Sequence, residues 1–167
     1  MSIRFLILII AGLGLVACTD KTPAPDVAAF RQLNERLLVA VSTHCGNTAA
    51  MADMATCTSE RDRYEADARP LVDEMTGLSA GMDDCMMAMG RDSVADMQTT
   101  CRGMGDELAS HLGSACASID VAQDKAEAER HCGVMRDLTQ RQMDRADSMG
   151  QRGGMMSGMM SGGSCHN

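Results

Sequence analysis

The chain has 167 residues, a formal net charge of −8 at pH 7, 17 methionines and 8 cysteines, but no Trp, one Tyr and two Phe. An acidic balance argues against a nucleic-acid partner and against electrostatic adhesion to anionic lipid. No Ser-His-Asp order, Gly-rich phosphate loop or H-E-x-x-H is present, so nothing points to an enzyme. The neighbouring carboxylates Asp73-Glu74 and Asp83-Asp84 read as solvated helix surface.

In chain order, Arg4 supplies a positive start and Phe5 to Val16 an apolar run too short to span a membrane. The run ends in Leu15-Val16-Ala17-Cys18. This segment resembles the signal peptide and lipobox of bacterial lipoproteins. The resemblance covers only residues 1–18. It implies export, removal of residues 1–17, a diacylglycerol thioether on Cys18 and attachment to a membrane of the cell envelope. With Thr19 rather than Asp after the cysteine, the outer membrane is favoured, on its periplasmic or surface face. A plain secretory signal cut near Ala17 is the other reading of the same residues. Residues 18–25 are then a polar, Pro-rich tether.

Residues 26–149 read as one all-α domain, an antiparallel bundle of about four helices. Helix 1 is expected to start at the N-cap Asp26, with Val27, Phe30, Leu37, Val41 and Cys45 on one face, His44 beside it, and Gly46-Asn47 as a C-cap. Thr48 to Cys57 is a loop or a short helix. Helix 2 is expected to start at Ser59, with a kink or break before Pro70. Leu71, Met75, Leu78, Met82, Cys85 and Met89 continue its stripe. Helix 3, capped by Ser93, carries Val94, Met97, Cys101, Met104, Leu108, His111 and Ala115. Helix 4, capped by Asp120, carries Val121, Ala128, Cys132 and Met135, with Met143 and Met149 less cleanly.

Around Ser93 the sulfur residues are mirrored: Met82 with Met104, Cys85 with Cys101, Met89 with Met97. A hairpin closing there would set two thiols and four thioethers against each other. Either Cys85–Cys101 is a disulfide and the methionines are core, or the sulfurs bind a soft cation such as Cu(I). The six domain cysteines read as a disulfide framework stapling a soft, Met-rich core. The mirror favours Cys85–Cys101, sequence proximity favours Cys45–Cys57 and Cys116–Cys132, and Cys101–Cys132 rivals the last. His44-Cys45-Gly46 and His131-Cys132-Gly133 repeat a tripeptide, but the histidines read as ordinary, partly exposed residues.

Residues 150–167 form a Gly/Ser-rich segment expected to be flexible and disordered. Core packing gives no reason for methionines in such a tail. Met155, Met156, Met159 and Met160, followed by Cys165 and His166, resemble the Met-rich runs of periplasmic copper-handling proteins; a low-complexity tail is the plain alternative. Bacterial copper-storage bundles are a weaker likeness, since the paired Cys four apart that they use are absent. The expected function is therefore an envelope-anchored lipoprotein that binds Cu(I) through Met82, Met89, Met97, Met104 and the tail ligands. The alternative is a disulfide-stapled lipoprotein, structural or partner-binding, with no metal.

Overall fold

A computed structural model describes residues 27–82 and 91–159, with side chains described for 27–82 and 92–149. Its elements are α1 (Val27–Ala49), α2 (Met54–Ala80), α3 (Arg91–Ser114) and α4 (Val121–Met159), and no strand occurs among the described residues. Each helix packs on its neighbours in a ring, α1 on α2, α2 on α3, α3 on α4 and α4 on α1. This leaves α1/α3 and α2/α4 as the diagonals of a disulfide-stapled four-helix bundle.

Local chemistry sets the helix ends, and several differ from expectation. α1 runs through Gly46 to Ala49, because Thr48 Oγ1 donates to the carbonyls of His44 and Cys45 at 3.0 and 3.2 Å and so closes the last turn. α2 is capped by Asp53 rather than Ser59. The Asp53 carboxylate accepts from the Thr56 N–H at 2.8 Å and the Thr56 hydroxyl at 2.7 Å, which draws Cys57 into the first turn. Pro70 sits inside α2 without breaking it. Its position is exposed, so the carbonyl it leaves unpaired faces water. Asp120 does cap α4, its carboxylate accepting from the Ala122 N–H at 2.9 Å. α4 continues past the expected boundary at Met149 to Met159.

The core is built from methionine where aromatics would normally stand. Met75, Met97, Met104 and Met135 are fully buried beside Phe30, Leu37 and Leu108, and Met82 and Met149 are almost so. Met97, Cys101, Met104, Leu108 and His111 follow the three-and-four spacing of one α3 face, and all are buried.

The two halves of the bundle repeat each other. His44 and His111 lie 67 residues apart, as do Tyr64 and His131. The same offset relates the helix caps Asp53 and Asp120, the pairs Glu60/Glu127 and Arg63/Arg130, and the buried pairs Phe30/Met97, Leu37/Met104 and Met82/Met149. Each half is a helical hairpin, and equivalent residues lie on diagonal helices. What one hairpin points at the bundle axis therefore meets its counterpart there.

Two disulfides staple one end. Cys45–Cys132 joins α1 to α4, and Cys57–Cys116 joins the first turn of α2 to the turn after α3. The pairings expected from proximity, Cys45–Cys57 and Cys116–Cys132, do not form, and neither does the rival Cys101–Cys132. Cys45 sits on the α1 flank that faces α4, while Cys57 reaches the end of α3. Cys116 has φ 62°, the left-handed position that usually ends a helix with Gly; here the position needs a side chain for the bridge. Cys101 is a free, buried thiol and so takes no part in the expected Cys85–Cys101 bridge. Cys85 lies outside the described residues. No described helix is long and apolar enough to cross a membrane.

Candidate functional site

Just inside the stapled end, each helix contributes one ring to a single buried layer: His44 from α1, Tyr64 from α2, His111 from α3 and His131 from α4. All four are at most 1% exposed. Their order follows from the repeat, since His44 faces His111 and Tyr64 faces His131 across the axis. The His44 and Tyr64 rings stack at 4.1 Å, the His111 and His131 rings stack at 3.9 Å, and the two stacks meet edge to face.

Every imidazole has its Nδ1 against a carboxylate. His44 Nδ1 lies 3.1 Å from Glu60, His111 Nδ1 2.7 Å from Glu127 and His131 Nδ1 2.9 Å from Glu107. The carboxylates are held in turn. Arg63 grips Glu60 from Nε and Nη2 at 3.1 and 2.6 Å, and Asn47 Nδ2 donates to it at 2.9 Å. Arg130 bridges Glu107 and Glu127, with contacts of 2.9 to 3.1 Å. These guanidinium and amide donors hold the Glu60 and Glu107 carboxyls below the usual range despite their partial burial. An ionised carboxylate only accepts, so each facing Nδ1 carries the proton, and the imidazole's free lone pair is on Nε2.

The two diagonals then differ. His131 Nε2 accepts from the Tyr64 hydroxyl at 3.1 Å. Burial raises the Tyr64 phenol well above its ordinary value, so that hydroxyl keeps its proton. His131 is thus satisfied as a neutral ring. His44 Nε2 faces His111 Nε2 at 3.1 Å. With both Nδ1 atoms committed as donors, two Nε2 lone pairs meet at this contact, and the pair is satisfied only by a proton or another cation. Burial works against a proton on His44. It takes His44 down to about 4, with repulsion from His111 adding to it against the pull of the Glu60 hydrogen bond. Around the rings, three carboxylates (Glu60, Glu107 and Glu127) face two guanidiniums (Arg63 and Arg130).

Among the described residues no group of three or more His, Cys, Asp or Glu is poised around one point for a metal ion. The stacking explains this. His111 and His131 are nearly parallel, at 11°, so their Nε2 lone pairs lie in separate planes, one against His44 and the other against Tyr64. What the layer offers is a two-imidazole pair with a phenol and a third imidazole adjacent.

The sequence-chosen metal ligands lie elsewhere. Met82, Met97 and Met104 are buried in the core and do not belong to the ring layer. Cys18, Met89, Met160, Cys165 and His166 fall outside the described residues, as do the side chains of Met155, Met156 and Met159. Conversely, the sequence reading passes over Tyr64, Glu60, Glu107 and Glu127; it puts His111 on the buried α3 stripe, where it lies, but takes His44 and His131 as partly exposed, whereas both are buried. Two signals could have found the layer: the repeated His-Cys-Gly, whose cysteines turn out to be bridged, and the 67-residue repeat. Comparison with protein-family models, with curated proteins and with solved structures finds no match to this chain.

Proposed function

We propose that the protein is a cation-binding helical bundle, taking one divalent first-row transition-metal ion at the His44–His111 pair. The observation that carries this is the 3.1 Å approach of two Nε2 atoms whose Nδ1 partners are both carboxylates. Two imidazoles sharing one ion through metal–nitrogen bonds of about 2.0–2.1 Å hold their nitrogens about 3 Å apart. The carboxylate behind each ring fixes its tautomer and raises its basicity, as outer partners of ligating histidines do. Tyr64 and His131 are the adjacent groups able to complete the ligand set. Imidazole and phenol donors suit Zn2+ or Cu2+ better than a soft monovalent ion.

Calorimetric titration of the full chain, disulfides intact, with Zn2+ and with Cu2+ tests it. One equivalent is expected to bind, and His44→Ala or His111→Ala to abolish that binding. Identical titrations of wild type and both variants would overturn it and leave the structural or partner-binding reading standing.

The lipobox-like Leu15-Val16-Ala17-Cys18 supports placing this bundle at the cell envelope, anchored through Cys18. In bacterial cells fed a labelled fatty acid, the chain is expected to take up label and Cys18→Ala to lose it. An unlabelled wild-type chain would remove the anchor from the proposal.

A further inference from the structure

A second polar level crosses the same core farther from the staples. Cys101 is ten residues before His111 on α3, and Asn34 is ten before His44 on α1, so this level lies about 15 Å along the bundle from the rings. Its members are again one per helix: Asn34, Met75, Cys101 and Gln142, each at most 1% exposed. They form two repeat-related pairs, Asn34 with Cys101 and Met75 with Gln142.

Two features of this level lack a partner. Gln142 Nε2 donates to the Met97 carbonyl at 2.8 Å and to Cys101 Sγ at 3.3 Å, which leaves its Oε1 buried and unbonded. Asn34 Nδ2 donates to the Phe30 carbonyl at 2.9 Å, and its Oδ1 is likewise buried and unbonded. A buried, unsatisfied oxygen costs about 1–3 kcal/mol, so a group that meets one of these is stabilised there. Cys101 is the free thiol, while the four other cysteines whose side chains are described are paired. Met97 and Met104 stand one turn either side of it on the same α3 face, both fully buried.

We propose that Cys101, with the Met97 and Met104 thioethers and the Gln142 side-chain oxygen, forms a buried site for a soft monovalent metal ion such as Cu(I). The donors are sulfur-rich, which selects soft cations. The charge fixes the valence: the thiol gives up its proton to solvent as the sulfur–metal bond forms, and thiolate plus a monovalent ion is neutral. A divalent ion would leave an uncompensated positive charge in an apolar core, at a cost of several kcal/mol. This site stands independently of the ring layer.

The test is a Cu(I) titration of the full, disulfide-intact chain against a chromogenic Cu(I) chelator, following near-ultraviolet thiolate-to-copper absorption. Wild type is expected to bind with that absorption, Cys101→Ser to lose one equivalent together with the band, and His44→Ala/His111→Ala to keep both. A folded Cys101→Ser that retains every equivalent overturns the proposal. Should that variant fail to fold, Met97→Leu/Met104→Leu, close in volume, decides: at least a tenfold weaker affinity supports the site, and an unchanged affinity overturns it. A wild-type chain that binds Cu(I) but neither Zn2+ nor Cu2+ would defeat the ring-layer reading and leave this one intact.

Discussion

Replacing Cys45 and Cys132 together by Ala is expected to lower the stability of the bundle by about 3–4 kcal/mol. The bridge spans 87 residues and its companion Cys57–Cys116 spans 59. The second bridge lies inside the first, so with it intact the loop that Cys45–Cys132 closes is only about 30 residues, for which chain-entropy arguments give about 3–4 kcal/mol. Few aromatics remain to offset such a loss, because the core is filled by adaptable methionine. A drop of roughly 10–20 °C in the midpoint of thermal unfolding, followed by circular dichroism, is the corresponding readout. A loss below about 1 kcal/mol would mean that the unfolded chain is already compact at that end. The same bridge fixes His44 and His131, each one residue away, so the variant should also weaken metal binding at the ring layer. A cavity lined by Gly46, Lys125 and Arg136 opens on this bridge, which gives a small reductant a route to it and a second way to make the measurement.

Why the bundle was legible and its bridges were not is a matter of where the information lies. The α3 stripe of Val94, Met97, Cys101, Met104, Leu108 and His111 is buried as its spacing requires, and Asp120 caps α4 as its side chain allows. Those are local properties. A disulfide depends on which helices become neighbours, and in this ring α1 lies beside α4, so Cys45 meets Cys132 rather than the nearer Cys57. Setting the start of α2 at Ser59 also left Cys57 outside the helix that carries it to Cys116. His44 and His131 lie one residue of phase away from the expected stripes. On α1, a step of three from the buried Val41 gives His44, whereas the step of four taken in the sequence reading gives Cys45. Compared at an offset of 67, the two halves show His44/His111, Glu60/Glu127 and Arg63/Arg130 in register, the skeleton of the ring layer. Tyr64 and Glu107 were harder to find. Tyr64 matches a histidine rather than another tyrosine, and the residue that matches Glu107 is Ala40.

The metal-free protein is expected to lose stability as the pH falls from about 6.5 toward 4, with His131 contributing about 3 kcal/mol of that loss. Burial takes His131 down to about 4 from its ordinary 6.5; repulsion from His111 and His44 adds to this against the pull of Glu107. In that window the unfolded chain binds a proton that the folded ring refuses, so each step down in pH favours unfolding. Above 6.5 both states are neutral and the term is absent; below about 4 it is fully expressed. The structural cause is specific, because a proton on His131 Nε2 must displace the hydrogen bond it accepts from Tyr64. His131→Gln keeps a polar group there without a titrating ring. Its unfolding free energy, from urea melts in chelator at pH 7.5 and pH 4.5, should differ between the two pH values by visibly less than that of wild type. An equal pH dependence would mean that His131 is not the buried neutral ring described, and that the acid sensitivity of this window resides in His44, which burial also takes down to about 4; the depressed carboxyls of Glu60 and Glu107 lose their contribution only at still lower pH. Bound Zn2+ should steepen the wild-type curve, because a ligating Nε2 must be unprotonated and the ion leaves as the proton arrives. The slope with and without metal therefore separates the satisfied diagonal, Tyr64–His131, from the one that asks for a cation, His44–His111.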